Sequence, residues 1–352
     1  MHIALTADPE LPVPPGLYGG IERMIFALAT GLVERGHQVR LFANRDSKVP
    51  CALHPYPADR SRGGLAVLRN TWHVSAGVLG KGVDIVHSFG RLAYIAPLLP
   101  VGVPVLMSYQ RPITASRVKW AIRLSGGKIG FAGCSRYHMM APAAENGKWF
   151  LVYDGVSESS YRFEPRIAAD APLIFLGRIE RIKGPHLAIE VARQTGRRLW
   201  LAGNVPSAKE HQEYFATHIR PFIDGDRVRY LGPVDDRAKN ELLGAGFALL
   251  MPVLWEELFG IVMAEALACG LPIIGLNRGA VPEIVQQGVN GFVCDSVEEM
   301  IAAVHRIPSI DRRACRQIME ERFSDRVMVD KYEALYLRLV DAGRSDGSRR
   351  ES

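Results

Sequence analysis

In the stretch PVLWEELFGIVMAEALACGLPIIG, residues 252–275, two carboxylates, Glu257 and Glu265, stand eight positions apart in apolar surroundings. A segment that only packs has no use for them. FALLMPV (247–253) reads as a strand, LWEEL as the loop after it, and FGIVMAEALACG as the start of a helix. A helix start offers unpaired N–H groups and the positive end of the dipole, which suit phosphate or hydroxyl oxygens. Gly260 lets a ligand approach the backbone closely. Glu265, about one and a half turns in, can face the same cleft. Carboxylates beside an anion site make sense if they accept hydrogen bonds from sugar hydroxyls while the amides take the phosphate, and a nucleotide sugar carries both groups. The competing explanation, acids favoured at a helix N-terminus, accounts for one glutamate but not for an acid on an apolar helix face.

A second constellation is IFLGRIERIKG, where a strand ends at Gly177 and Arg178 and Lys183 follow. Ligands of open α/β sheets sit outside the carboxyl ends of the strands. Two cations there suit a pyrophosphate, Arg178 as a fork and Lys183 as a point charge. A solvated loop with two basic residues is the plainer alternative.

The elements around these residues repeat one theme. HIALTA (2–7), HQVRLFA (37–43), VDIVHSF (83–89), VPVLMSY (103–109) and GKIGFAGCS (127–135) read as strands separated by helix-length segments. IERMIFALATGLVERG (21–36) places Met24, Leu28 and Leu32 on one helical face, and Gly36 closes it. After a polar stretch at 155–172, read as a linker, the alternation resumes with strands at 173–179, 197–204, 226–234, 247–253 and 271–276. The expected architecture is two doubly wound α/β domains, 1–154 and 173–324, then a helix over 325–340 and a disordered polar tail over 341–352.

Composition agrees. The 352 residues are 48% hydrophobic and 23% charged, a globular mixture, and the net charge of +6 permits an anionic ligand or surface without demanding one. No apolar run reaches membrane-spanning length, and Asp8 with a proline cluster breaks up any signal-peptide pattern. The five cysteines have no metal spacing and read as cytosolic thiols. No GxGxxG follows the first strand, against a dinucleotide oxidoreductase, and no GxxxxGK[ST] occurs.

GRIERIKG followed by PVLWEELFGIVMAEALACGLPIIGLNRGAVPEIV resembles the donor-binding half of family 4 glycosyltransferases, retaining enzymes of the GT-B fold whose E-x7-E signature falls on Glu257 and Glu265. YGGIERMIFALATGLVERGHQVRLFA resembles the family's N-terminal Gly-Gly loop and first helix, and the similarity runs from residue 2 to residue 340. It implies two Rossmann-like domains facing each other across a cleft, the last helix returning to the first domain. It also implies catalytic roles for Arg178, Lys183 and Glu257. The two cations would bind the donor diphosphate, and Glu257 the hydroxyls of the transferred sugar. Glu265 would hold the ribose. Gly19, Gly20 and Gly177 would bring backbone to the donor, and Phe259, Gly260, Ile261 and Val262 would supply amides. Many relatives carry a histidine where VLMSYQRP here has Tyr109 and Gln110, so these two, with His87 at the end of VDIVHSF, are the acceptor-side candidates, although a lone histidine at such a place is more often a satisfied structural residue.

The resulting expectation is a retaining hexosyltransferase. It would move a sugar from a nucleotide diphosphate sugar, UDP before GDP, to a sugar, lipid-linked or small-molecule hydroxyl, as in polysaccharide or glycolipid synthesis. A nucleotide-sugar 2-epimerase of the same fold and a non-catalytic nucleotide-sugar-binding module are the rivals. The first needs a dedicated set of acid/base groups, and the second needs one of the four site residues missing. No metal or other cofactor is expected, and no nucleic acid partner. DGD (224–226) imitates a metal motif but precedes a strand and reads as a turn. SRVKWAIRLSGGK (116–128) gathers Arg117, Lys119, Trp120, Arg123 and Lys128, which suits contact with anionic lipid as well as it suits a solvated helix. The expected location is cytoplasmic, with peripheral contact at the membrane face through 116–128.

Overall fold

The computed structural model describes residues 1–17, 19–111, 114–140 and 147–348, with side chains as far as Gly343. The chain divides into two compact units. One holds Met1–Pro15, Gly19–Gly155 and the final helix from Asp325, and the other holds Val156–Ser324.

The first unit is built on a parallel sheet of β1 (His2–Thr6), β2 (Gln38–Ala43), β3 (Ala52–Pro55), β4 (Ile85–Ser88), β5 (Val105–Tyr109), β6 (Gly130–Gly133) and β7 (Lys148–Leu151), in the order β3-β2-β1-β4-β5-β6-β7. Central strands such as β1 and β4 are buried almost throughout because helices cover both sheet faces. The helix Gly20–Glu34 buries Met24, Ile25, Leu28, Ala29 and Leu32, the three-and-four spacing of one helical face. It packs with the final helix Asp325–Ser348 on one side of the sheet. Arg35 and His37 both meet Glu333 there, each at 2.7 Å. The opposite side is covered by the helices Gly64–Val78 and Ala115–Leu124 and the segment 92–101 between them, over a core that includes Val74, Tyr94, Leu98, Val118 and Phe131.

The second unit has a parallel sheet of β8 (Leu173–Leu176), β9 (Leu199–Ala202), β10 (Val228–Tyr230), β11 (Ala248–Met251), β12 (Ile273–Leu276) and β13 (Gly291–Cys294), ordered β10-β9-β8-β11-β12-β13. Both orders reverse direction once, between β1 and β4 and between β8 and β11, which opens a crevice at the carboxyl ends of those strands.

Two boundaries differ from the sequence expectation. The polar segment 155–172 packs onto the second unit: the Glu164 amide bonds the Cys269 carbonyl, Arg316 donates to the carbonyls of Tyr161 and Glu158, and Phe163 lies against Gly270. Part of its backbone is thus satisfied by the protein rather than by water. The expected disordered tail continues the final helix through Ser348, with Gly343 beside the Pro104 ring, while residues 349–352 lie outside the described residues.

Candidate active site

At the crevice of the second unit, two loops are stitched together. β8 ends at Leu176, and the chain continues through Gly177, Arg178 and the short 3-10 turn Arg181–Lys183. β11 ends at Met251 and leads through Pro252–Gly260 into the helix Ile261–Ala268. The Leu254 amide donates to the Ile182 carbonyl at 2.8 Å. At Gly184 (φ +72°) an added Cβ would lie 2.0 Å from the Pro252 carbonyl oxygen, so the close approach of the loops requires glycine.

This stitching pairs the charges. Lys183 Nζ stands 2.5 Å from Glu257 Oε2, and the Trp255 indole N–H donates to the same oxygen at 3.1 Å. The ammonium also lies 4.6 Å from the centre of the Trp255 ring, within range of a cation–π attraction. Arg178 pairs with the buried Glu180 at 2.8 Å. Each cation the sequence singled out is thus oriented by a carboxylate. Each keeps donors to spare, since guanidinium carries five N–H groups and ammonium three.

From the other side, the turn after β12 braces the acidic loop. The Gly279 amide donates to Glu256 Oε2 at 2.6 Å and the Ala280 amide to the Glu257 carbonyl at 2.7 Å. A Cβ on Gly279 (φ +56°) would sit 2.2 Å from the Glu257 carbonyl oxygen.

The helix Ile261–Ala268 has no side-chain cap, so neither glutamate is there to cap it. Its first amides, Ile261 and Val262, have no acceptor within the helix by geometry. Gly260 at φ +74° turns the chain into it. The Phe259 side chain is buried against Phe323, leaving its backbone as the part that can face a ligand.

Glu265 does not stand beside Glu257's partners. Its Oε1 accepts from Lys239 Nζ at 2.6 Å and from the Tyr161 hydroxyl at 2.7 Å, and both the lysine and the glutamate are buried. The other oxygen, Oε2, takes no bond from the described residues.

In the first unit, Gly19 (φ +141°) precedes the helix that begins at Gly20, and a Cβ there would meet the Glu22 carboxylate at 2.7 Å. Glu22 and Asp8 gather near it, both carboxyls raised from their ordinary values chiefly by burial, with Arg111 paired to Asp8.

His87 is not an acceptor residue. It is fully buried in β4, its Nδ1 2.5 Å from the Tyr336 hydroxyl and its Nε2 2.7 Å from Ser108 Oγ. Both ring nitrogens are spent on the core, and burial holds its pKa well below the ordinary histidine value. Tyr109 and Gln110 do line a cavity of about 590 Å³ at the ends of β4 and β5, with Arg91, Arg111, Arg117 and Trp120. The Tyr109 hydroxyl has no partner among the described residues, while Gln110 donates to Asp154 at 2.7 Å.

DGD is a turn. Asp224 Oδ1 accepts from the amides of Asp226 at 2.9 Å and Val228 at 3.0 Å, and these bonds depress its pKa. Among the described residues no cluster of three His, Cys, Asp or Glu could hold a metal ion.

Sequence reading assigned no role to Glu180, Trp255, Gly279, Lys239, Tyr161, Asp8 or Glu22. Glu180 and Trp255 lie inside the quoted motifs and were there to be read. Lys239 and Tyr161 join the site only through folding, 26 and 104 positions from Glu265.

Residues 158–322 match the family model described as glycosyl transferases group 1, and residues 18–137 match the model for glycosyltransferase family 4. The chain is 24% identical over 349 residues to spore coat protein SA of Bacillus subtilis, covering 87% of this chain and 89% of that one. In structure it resembles the sucrose-phosphate synthase of Thermosynechococcus elongatus, with a TM-score of 0.80 at 19% identity over 97% of this chain and all of the other (100%). It also resembles Anabaena HepE, solved with UDP-glucose, with a TM-score of 0.74 at 16% identity over 95% of this chain and 99% of that one. At these identities the structural matches speak for the fold, which is GT-B. The two family models between them take in the E-x7-E helix and the Gly20 helix, and the chain belongs to the family 4 glycosyltransferases.

Proposed function

We propose that the chain is a retaining hexosyltransferase that moves a sugar from a UDP-sugar to a hydroxyl acceptor. The observation that carries this reading is the Lys183–Glu257 pair beside Arg178 and an uncapped helix start. The two cations and the amides of Ile261 and Val262 would face the diphosphate, while the second oxygen of Glu257 would accept from a sugar hydroxyl. The UDP-glucose held by HepE supports uridine as the base.

As the bond from the anomeric carbon to the diphosphate oxygen breaks, negative charge grows on the leaving group, and fixed cations and amides stabilise it without reorganising. The acceptor oxygen then bonds to the anomeric carbon from the same face, and its proton passes to the departing phosphate oxygen. Because the protein supplies these charges itself, no divalent ion or other cofactor is needed. Acceptor binding belongs to the cavity of Tyr109 and Gln110, whose wall carries three arginines. An acceptor bearing phosphate or other anionic groups suits it.

Five free thiols, four of them buried, support a cytoplasmic setting. No described helix is long and apolar enough to cross a membrane, and the basic segment 116–128 would supply peripheral contact with one.

A thermal-shift panel of UDP-, GDP-, ADP- and dTDP-sugars tests the donor, because a ligand that binds only the folded state raises the melting temperature. The expected result is a shift with UDP-sugars and slow release of free sugar with retained anomeric configuration. No shift with any of the four, or an isomeric donor as product, would overturn the reading.

A further inference from the structure

The helix Gly64–Val78 is apolar on two sides. Toward the sheet it buries Val74 and Val78, as a covering helix should, together with Asn70, which exchanges two hydrogen bonds with the backbone of Ala58. It leaves Leu65, Leu68 and Trp72 at 65%, 64% and 75% exposed. Their spacing of three and four puts them on one outward stripe. The helix Ala115–Leu124 covers the same sheet face and repeats the pattern, with Trp120 (48%) and Leu124 (37%) exposed beside Arg117, Lys119 and Arg123. Single exposed apolar residues are ordinary, but outward apolar groups on two helices that cover the same side of one sheet mark a docking surface.

The charge around it names the partner. From Arg60 to Met140 the sequence has eleven basic residues (Arg60, Arg62, Arg69, Lys81, Arg91, Arg111, Arg117, Lys119, Arg123, Lys128 and Arg136) and one acid, Asp84. That acid is taken by the amide of His2. Arg60, Arg62, Arg69, Lys119 and Arg123 are exposed. A second copy of this face would bring like charges together, whereas a bilayer surface offers apolar depth beneath anionic headgroups.

We infer that the face formed by the helices Gly64–Val78 and Ala115–Leu124 binds an anionic lipid membrane, with Leu65, Leu68, Trp72 and Trp120 entering the interface and the arginines and lysines around them meeting lipid phosphates. Taken together with glycosyl transfer, this would place the cavity of Tyr109 and Arg117 beside the bilayer, within reach of a lipid-linked acceptor.

The test is flotation of the full chain, without donor, on vesicles of phosphatidylcholine alone and of phosphatidylcholine with one third phosphatidylglycerol. Each basic residue near an anionic surface contributes roughly fivefold to partitioning, so binding to the anionic vesicles should be at least about tenfold stronger and should fade at half-molar salt. Leu68→Ser with Trp72→Ser, and separately Lys119→Glu with Arg123→Glu, should each lower it by about tenfold or more, with unchanged melting temperature because these side chains are exposed. Tryptophan emission should shift to the blue on anionic vesicles, less so in the Trp72 variant. Equal partitioning to both vesicles, or binding untouched by either pair of substitutions, would overturn the inference. So would a dimer in light scattering that the Leu68/Trp72 variant converts to monomer. The readout is binding, so it stands apart from turnover and from the donor assignment.

Discussion

Lys183 Nζ lies 2.5 Å from Glu257 Oε2, and that oxygen also accepts from the Trp255 indole. The lysine and the first glutamate of E-x7-E are therefore one charged unit with a polar edge, not two independent contacts. In the proposed reaction a diphosphate that approaches Lys183 also approaches Glu257, whose other oxygen would then accept from a sugar hydroxyl.

That coupling predicts non-additive kinetics. Lys183→Met should lower kcat by about 100-fold or more, the usual scale for one donor aimed at a developing charge. Glu257→Gln keeps the size and one acceptor oxygen, and should lower kcat more than it raises KM, because the sugar ring changes shape as the anomeric centre flattens. The double variant should lose much less than the product of the two single losses. Measuring kcat and KM across this cycle checks it. Strict multiplicativity would show that the two side chains act on separate parts of the donor.

Glu265 should respond differently, because it serves the fold in addition to its proposed hold on the donor. Its partner Lys239 is buried, and removing one member of a buried ion pair costs about 3–5 kcal/mol when the other stays charged. Glu265→Gln should lower the melting temperature and raise the donor KM, with kcat nearly kept because ribose contacts change little along the reaction. Lys239→Met together with Glu265→Gln should recover part of the stability while the KM defect remains. If KM recovered along with stability, the glutamate would have no separate hold on the donor.

The contrast between these two glutamates marks how far the sequence could be read. Glu257's setting was legible because Lys183 and Trp255 lie in quoted motifs at the ends of two recognisable apolar runs. The central strands β8 (LIFL) and β11 (ALLM) were legible for the same reason: covered on both faces, they are apolar throughout, and β1 and β4 keep an apolar core beside their polar ends. Three strands escaped notice, β3 (ALHP), β7 (KWFL) and β13 (GFVC), all at sheet edges. β3 and β7 are short and partly exposed, so little apolar periodicity betrays them, while β13 is buried but only four residues long and opens on a glycine. His87 at a strand end carried two readings, an acceptor-side group or a satisfied structural residue, and the Tyr336 hydroxyl, 249 positions away, decides for the second. The bracing turn at Gly279 was invisible for a further reason, since the need for glycine there comes from a backbone approach that only the fold creates.

Gly184 offers a test of the stitching between the loops that follow β8 and β11. Alanine there must adopt a positive φ and place its Cβ against the Pro252 carbonyl, so the loops must part. The φ strain alone is about 1–3 kcal/mol. The expected outcome for Gly184→Ala is a lower melting temperature and, assayed well below it, a turnover loss larger than the fraction unfolded explains, because Lys183 moves away from Glu257. Gly196, also at positive φ but with open space around it, is the control. Gly196→Ala should cost some stability and leave turnover intact. Equal kinetics in the two variants would detach the loop contact from catalysis.

Asp154 predicts how stability depends on pH. It lies buried after β7 and accepts from Gln110 at 2.7 Å, and burial raises its carboxyl from 3.8 to about 7. In the unfolded chain it ionises near pH 4. Between those values the folded protein holds a proton that the unfolded chain has released, so stability must fall as pH rises through that window. Below it both states are protonated and the full contribution remains. Above pH 7 both are ionised and up to about 4 kcal/mol has been lost, at about 1.4 kcal/mol per pH unit. Asp154→Asn cannot ionise and keeps an oxygen for the Gln110 donor. Its melting temperature relative to the parent protein should therefore climb between pH 5 and pH 8, the pair being closest at the acid end. A difference that stays constant over that range would mean that Asp154 is already ionised in the folded protein, held by partners other than Gln110.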